Sequence, residues 1–161
     1  MQDAKNKVES NLLSNGDFAQ NNIGTNEWTI SKTLPGWEIP REVEQGYGRV
    51  YNGNWGNRIV IELDSNQNDI LRQKLELRKG EYNLELDYAA RSGFVGTSEM
   101  SVSWNGQNVK TIKGEDDSIH TLKLPLSAVE GTNVLEIAGE GTSDGLGMTI
   151  SNVKLVKIQE S

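Results

Sequence analysis

Short runs in which apolar and polar residues alternate recur along most of this chain of 161 residues. The clearest is GEYNLELDYA at 80–89, where tyrosine and leucine side chains alternate with charged and amide side chains. Side chains along a strand point to opposite faces in turn, so this run predicts a strand with one buried face and one wet face. The stretch from Arg58 to Arg91 predicts three consecutive strands, and the rest of the chain is interpreted as arranged around them.

The remaining alternating runs predict further short strands with Gly and Asn at the turns between them. They lie at 11–13, 27–32, 37–43, 100–104, 109–112, 119–126, 133–138 and 148–158. Asn105-Gly106 predicts a tight hairpin, Phe18 is expected to plug the core, and a slip in the apolar phase of the last run predicts a β-bulge. No segment has a convincing helical period. About ten strands at this spacing predict an antiparallel β-sandwich or barrel, as one all-β domain over 11–158 after a flexible leader at 1–10.

Charge and composition narrow the classes of partner. The formal net charge is −7, so nucleic acid and an anionic membrane surface are not expected partners. No apolar run approaches the length of a membrane span, so membrane insertion is not expected. The chain has no cysteine, which excludes disulfides and cysteine-based zinc sites. The polar N-terminus has no signal core, so the chain is interpreted as intracellular or as the mature part of a larger or processed protein.

Catalytic patterns are weak in this sequence. The single histidine, His120, lies in a predicted strand, and no Gly-x-Ser-x-Gly motif occurs. Glu62, Asp64 and Asp87 could act as acid and base, but carboxylates that alternate along the wet face of strands are interpreted as solvation. The glycine-rich segment at 139–147 has no lysine and precedes a strand, so it does not fit a phosphate-binding loop. The chain is therefore not expected to be an enzyme.

Three oxygen-rich segments could hold a hard cation such as calcium, which prefers several oxygen ligands. They are ELDSN at 62–66, EDD at 115–117 and SDG at 143–145. None of them matches an EF-hand loop. No cofactor or metal site is therefore assigned, and if a structural calcium is bound the expected ligands are Asp64 and Asp144.

One segment, QGYGRVYNGNWGN at 45–57, differs in kind from its neighbours. It combines glycine and asparagine with aromatic residues and has little apolar alternation, so it is predicted to be a loop. Sugars present flat C–H faces that stack on aromatic rings. Tyr47, Tyr51 and Trp55 are therefore candidate stacking residues.

Sugar hydroxyls also need hydrogen-bonding partners, which polar residues at the ends of strands can supply. Asp64, Arg91 and Asn105 occupy such predicted positions. An ion pair with a carboxylate is the alternative role for Arg91. Trp37 and Trp104 lie at the ends of alternating strands and are expected in the core.

Six short motifs occur in order between residues 11 and 153. They are NLLSNGDF at 11–18, LPGW at 34–37, IELDSNQND at 61–69, GEYNLELDYAAR at 80–91, SWNG at 103–106 and SDGLGMTISNV at 143–153. Together they resemble the galactose-binding-like jelly-roll modules of large bacterial calcium-dependent (RTX-type) adhesins and of secreted carbohydrate-binding proteins. A plant cell-wall family with a similar N-terminal layout is a more distant relative. The resemblance implies a two-sheet jelly roll with a non-catalytic, often glycan-binding role outside the cell.

The chain departs from those modules at two positions. The modules commonly carry Glu after Asn-Gly-x-Phe and Asp before the Asn-Val of the last strand, and in many of them these carboxylates hold a structural calcium. Here the two positions are Ala19 and Ser151. The resemblance therefore implies that this calcium site is empty or rebuilt from backbone and neutral oxygens.

These features predict a lectin-like, non-catalytic carbohydrate-binding or adhesion module. The predicted ligand-binding residues are Tyr47, Tyr51, Trp55, Asp64, Arg91 and Asn105. The expected partners are a glycan or polysaccharide and other domains of a larger protein, and the expected location is extracellular or at the cell surface. The alternative is a structural or protein–protein interaction domain of a larger extracellular assembly, and a second rival is a glycan-active enzyme that uses the wet-face carboxylates.

Overall fold

The computed structural model describes residues 10–20, 27–51, 55–56, 58–64, 68–91, 93, 95–141 and 147–158. Most of these residues form strands: β1 (Trp28–Ser31), β2 (Val43–Tyr47), β3 (Ile59–Glu62), β4 (Ile70–Leu77), β5 (Gly80–Ala89), β6 (Glu99–Trp104), β7 (Gln107–Lys113), β8 (His120–Ala128), β9 (Gly131–Glu140) and β10 (Thr149–Lys157). A single helical turn, α1 (Gly48–Tyr51), follows β2, and a 3₁₀ turn at Val95–Thr97 precedes β6. No helix in the described part of the chain is long and apolar enough to cross a membrane.

The strands form two antiparallel sheets that pack face to face. The six-stranded sheet has the order β1-β2-β3-β10-β5-β8, and the four-stranded sheet has the order β4-β9-β6-β7. The main core fills the space between them, with Leu84 and Leu86 from β5 and Ile137 from β9 fully buried. This arrangement confirms the prediction of an all-β antiparallel sandwich.

Local signals in the sequence account for several details of the sandwich. Asn105 and Gly106 have φ angles of 52° and 83°, and two successive positive φ angles are what a two-residue hairpin turn requires. The pairing of β10 with β5 shifts register between Ser151 and Lys154, which confirms the predicted bulge. Phe18 is fully buried as the expected core plug. The predicted core positions of Trp37 and Trp104 are also confirmed.

Two predicted strands are wrong. Residues 11–13 form no strand and lead into turns that begin at residue 14, and most of 37–43 precedes the strand that begins at Val43. The segment at 45–57 therefore starts inside β2 and continues into α1, so its prediction as a loop is wrong for that part. The leader at 1–9 and the SDG segment with Asp144 lie outside the described residues.

A second, smaller core covers the outer face of the six-stranded sheet, opposite the main core. It is built from Tyr51, Trp55, Val60 and Ala89. The covering segment, which consists of α1 and Trp55, lies over β3 and β10, since Tyr51 and Trp55 pack in this core and the indole N–H of Trp55 donates to Thr149. This segment buries the part of the outer face around Val60 and Ala89, and the candidate site lies at the margin of that part.

Candidate functional site

A row of paired residues crosses the outer face of the six-stranded sheet. Glu44 on β2 pairs with Glu62 on β3, Glu62 pairs with Thr149 on β10, and Thr149 pairs with Ala89 on β5. Directly paired residues in antiparallel strands carry their side chains on the same face. Two carboxyl groups therefore stand next to each other, and Glu62 is completely buried, with 0% of its surface exposed.

Four side chains form what we call the outer-face cluster: Glu44, Tyr51, Glu62 and Arg91. Nη1 of Arg91 lies 2.5 Å from Oε2 of Glu62. The same guanidinium lies over the ring of Tyr51, with 5.0 Å from its central carbon to the ring centroid. The Arg91 side chain keeps 21% of its surface exposed, so its charge is held at the boundary between the cluster and solvent. The ion-pair alternative for Arg91 is thus the contact that forms.

Burial dominates the electrostatics of the cluster. It raises the pKa of Glu62 to about 8, with a further rise from the nearby Glu44 carboxylate, and Arg91 only partly opposes this rise. Burial also raises the pKa of Glu44 and the pKa of Tyr51, whose phenol stays protonated. Glu44 and Glu62 interact strongly enough to titrate as a pair. At neutral pH the pair therefore retains a proton, although an arginine touches it.

Trp55 holds the covering segment against the sheet. Its indole N–H donates to Thr149 Oγ1 over 3.1 Å, and the Thr149 hydroxyl donates to the carbonyl of Ala89 over 2.6 Å. The guanidinium of Arg58 lies 5.6 Å from the Trp55 ring centroid, and Arg58 pairs with Asp87 at 2.8 Å. Only 2% of Trp55 is exposed, so its contacts are structural.

The structure brings together four of the six residues predicted to bind a ligand. Tyr51, Trp55 and Arg91 meet at the outer face, and the negative charge of Asp64 lies close enough to raise the pKa of Glu44. Tyr51, Trp55 and Asp64 are buried, however. Rings in these positions have no free face for stacking, which does not fit the predicted role of the two aromatic residues.

The other two predicted residues lie elsewhere. Tyr47 alternates with Gly46 along β2 and so points to the opposite face of the sheet. Asn105 lies in the β6–β7 turn of the four-stranded sheet, where its side chain bonds Asn133 and the backbone N–H of Val134. Those bonds hold the hairpin against β9, so the structure gives Asn105 a role in the turn.

Sequence reasoning missed two features of this site. Glu62 and Asp64 were interpreted as solvated, which is wrong, because both are buried, and α1 and Trp55 cover the face of β3 that carries Glu62. Trp28 on β1 is 55% exposed, and it stands beside the cluster. A Cβ added to Gly46 would lie 2.7 Å from the Tyr51 hydroxyl oxygen and 2.9 Å from the Cβ of Trp28. The alternation around Trp28 predicted its strand, but nothing in it marked an edge strand.

The residues around Ala19 and Ser151 do not fit the calcium site of related modules. Ala19 offers no side-chain oxygen, and the Ser151 hydroxyl donates to the carbonyl of Ile59 over 2.8 Å. The side-chain oxygens of Asn15 and Asp17 accept bonds from backbone N–H groups of the same loop. No group of three or more acidic or histidine residues placed for a metal occurs within the described ranges.

Side-chain amides tie the loop at 11–20 to the sandwich. The amides are those of Asn11, Asn15, Gln45 and Gln73. Asn11 donates to the carbonyl of Val153 and accepts from the N–H of Leu155. Gln73 bonds both the N–H and the carbonyl of Ser14, at 2.8 and 3.1 Å. Neutral side-chain hydrogen bonds thus attach this loop to the rest of the domain.

Removal of divalent cations should therefore leave the melting temperature unchanged within about 1 °C, since a cation that binds only the folded state adds stability by mass action. Calorimetry with excess EDTA and with added calcium checks this. A chelator-dependent drop of several degrees, restored by calcium, would show that a cation is held after all. Gln73→Ala is a useful comparison, because it should lower the melting temperature equally in both buffers.

Comparisons with known proteins support the same fold. The chain is 35% identical over 148 residues to a multifunctional-autoprocessing repeats-in-toxin protein of Vibrio vulnificus and 34% identical over 148 residues to the protein of that name from Vibrio cholerae. The alignments cover 89% of this chain, which spans only 3% of the length of these curated relatives. No protein-family model matches the chain.

Among solved structures, a family 35 carbohydrate binding module from Clostridium thermocellum superposes with a TM-score of 0.55 and 15% sequence identity. The superposition covers 82% of this chain and 99% of that module. At this identity the similarity shows the fold, and it confirms the jelly roll. The resemblance to jelly-roll modules, and to those of RTX proteins in particular, is thereby confirmed.

Proposed function

We propose that the chain is a non-catalytic carbohydrate-binding module that holds a sugar on the outer face of its six-stranded sheet. The observation that carries this proposal is Trp28, an indole with 55% of its surface exposed beside the outer-face cluster. Ile30, also exposed, lies on the same face of β1 because it pairs with Glu44 as Trp28 pairs with Gly46. Trp28 and Ile30 thus form an apolar strip next to fixed polar groups, which is the composition of a small-ligand site.

The chemistry of a sugar ring matches this strip. Its C–H face stacks on the Trp28 indole, while hydroxyls at its rim bond the partly exposed Arg91 guanidinium and the Glu44 carboxyl group. The ion pair with Glu62 and the Tyr51 ring beneath it fix the direction of the guanidinium. A polar group that is already held in place loses little entropy on binding. The cluster therefore acts as a preformed support for the exposed residues.

A non-catalytic role agrees with the chemistry of the carboxyl groups. Glu62 is completely buried beneath Arg91 and the covering segment, so it cannot reach a glycosidic bond. Glycoside hydrolysis needs two carboxyl groups that flank the substrate. The fold similarity to a carbohydrate binding module supports the same conclusion.

A glycan array probed with the intact chain tests the proposal. Wild type should bind a defined set of glycans, and Trp28→Ala should weaken that binding by at least about tenfold, the effect of losing about 1.4 kcal/mol. Val129→Ala is the matched control, because Val129 is also 55% exposed but lies in the β8–β9 turn. Binding that is retained in Trp28→Ala would place the sugar elsewhere, and no binding to any glycan would refute the function.

The small share of the repeats-in-toxin proteins that this chain spans supports its being one domain of a larger protein. We infer an extracellular or cell-surface location from the same similarity. Detection of the chain's epitope on intact, unpermeabilised cells or in culture medium tests that location. Signal only after cell lysis would contradict it.

A second candidate function is protein–protein interaction. It is favoured by the position of Trp28 and Ile30 on β1, which is an edge strand of its sheet. Edge strands with exposed apolar side chains can pair with another polypeptide. A negative glycan array together with a captured protein whose binding is lost in Trp28→Ala would favour this role.

A further inference from the structure

A cleft opens between the two sheets at one end of the sandwich, away from the outer face. Its volume is about 310 Å³, which lies at the small end of the range for ligand pockets. Its floor is apolar and well packed, being formed by Ala90, Ile112 and Met148, all of them buried. None of these residues belongs to the outer-face cluster.

An aromatic pair forms one wall of this cleft. Tyr88 on β5 and His120 on β8 are directly paired across the sheet, and their rings stack with centroids 5.5 Å apart and an angle of 28° between planes. Nε2 of His120 lies 2.8 Å from Oδ1 of Asp116. This contact and the stacking hold the imidazole in place, although almost half of its side chain is exposed. The wall is therefore a pair of aromatic rings held in fixed positions.

The rim of the cleft mixes hydrogen-bond donors with acceptors. Lys110 on β7 supplies an ammonium group, and Glu115 and Asp116 supply carboxylates, whereas the Lys113 ammonium lies 4.0 Å from the carboxylate of Glu99. Hydrogen bonds from His120 and the Ser118 N–H lower the pKa of Asp116, so this group is an acceptor. Burial raises the pKa of Tyr88, whose hydroxyl stays a donor. The rim therefore offers donors and acceptors together rather than charges of a single sign.

We propose that this cleft is a second saccharide site, which takes one neutral sugar ring against the Tyr88–His120 wall. A sugar ring has an apolar face for the wall and floor, and each of its hydroxyls both donates and accepts, as the mixed rim requires. The proposal rests on the proposed function, since it assumes a carbohydrate ligand. Two sites on separate surfaces would let one module bridge two glycan chains or grip one chain twice.

The chain has one histidine, so the ring signals of His120 in a ¹H–¹³C NMR spectrum report on this cleft without ambiguity. The intact chain is titrated with methyl β-galactoside and methyl β-glucoside, and with glucuronic acid and glucosamine as charged comparisons. The neutral sugars should shift the His120 signals saturably, in wild type and in Trp28→Ala alike. Lys110→Ala should weaken that response severalfold, whereas Lys123→Ala on the outer face of β8 should not change it.

The outcomes separate the two proposals. Saturable binding that leaves the His120 signals in place, or a His120 shift that disappears in Trp28→Ala, overturns the second site but not the first. Stronger binding of a charged sugar than of the neutral sugars overturns the stated ligand class. If none of these sugars binds and the glycan array is also negative, both proposals fail together.

Discussion

Between about pH 4.5 and pH 8, the free energy of unfolding should fall as the pH rises, because the Glu62 carboxyl group is buried. The pKa of Glu62 rises from 4.5 in the unfolded chain to about 8 in the folded protein. Over that interval the folded state binds more protons than the unfolded state, so raising the pH favours unfolding. The contribution is complete below pH 4.5 and is lost by about pH 8.

The slope of the free energy of unfolding against pH has an upper limit of about 1.4 kcal/mol per pH unit for one proton. Because Glu44 and Glu62 titrate as a pair beside Arg91, the total change in the free energy of unfolding is on the order of a few kcal/mol and belongs to the pair rather than to either residue. The raised pKa of Glu44 acts in the same direction. The lowered pKa of Asp116 acts in the opposite direction at lower pH, but that residue is exposed.

Glu62→Gln isolates this effect, because an amide keeps the size of the side chain and an oxygen toward Arg91 but does not titrate. Chemical denaturation at a series of pH values should show a flatter profile for the variant, with its largest advantage over wild type near pH 8. Glu85→Gln, on the same sheet face, is the control and should follow wild type. Parallel profiles for Glu62→Gln and wild type would mean that Glu62 is ionised in the folded state.

Trp55→Ala should lower the free energy of unfolding by about 3–5 kcal/mol, the range for truncation of a buried tryptophan. The ring is almost fully buried, its N–H bonds Thr149, and its Cβ lies against Gly48. Truncation leaves a cavity beneath the covering segment and removes the stacking partner of Arg58. A loss of this size is a large part of the stability of a typical domain.

Trp28→Ala is the matched comparison for the stability loss expected of Trp55→Ala. Trp28 is exposed, so its truncation should cost less than about 1 kcal/mol and should act on ligand binding instead. Urea denaturation of both variants, followed by intrinsic fluorescence, separates the two effects. Equal stability losses would contradict the assignment of one tryptophan to structure and the other to a surface.

The fold followed from the sequence because its signals are local. The alternation in β5 and the Asn105-Gly106 turn each depend on a few neighbouring residues. The wrong strand at 11–13 shows the limit of such signals. Leu13 is buried there without a strand, because Asn11 and Gln73 supply the hydrogen bonds that strand pairing would otherwise provide.

The site was harder to predict, since it depends on which segment covers which face. Alternation placed Glu62 on the face opposite Ile61, and this is correct. It could not show that α1 and Trp55 would fold over that face and bury it. The exposure of Trp28 has the same origin, because only the strand order shows that β1 lies at the edge. Composition identified aromatic residues as candidates, but long-range packing decides which of them meets solvent.

The hydrogen bonds of the Asn11 side-chain amide also fix where the polypeptide enters and leaves the sandwich. The N–H of Leu12 donates to the carbonyl of Leu155, so the first and last described segments run side by side. In a longer polypeptide the chain would therefore enter and leave this module at neighbouring points. The module would add to the end-to-end length of the polypeptide little more than the spacing of about 5 Å between neighbouring strands. Tension along such a polypeptide would load the contacts between residues 11–12 and 153–155 first.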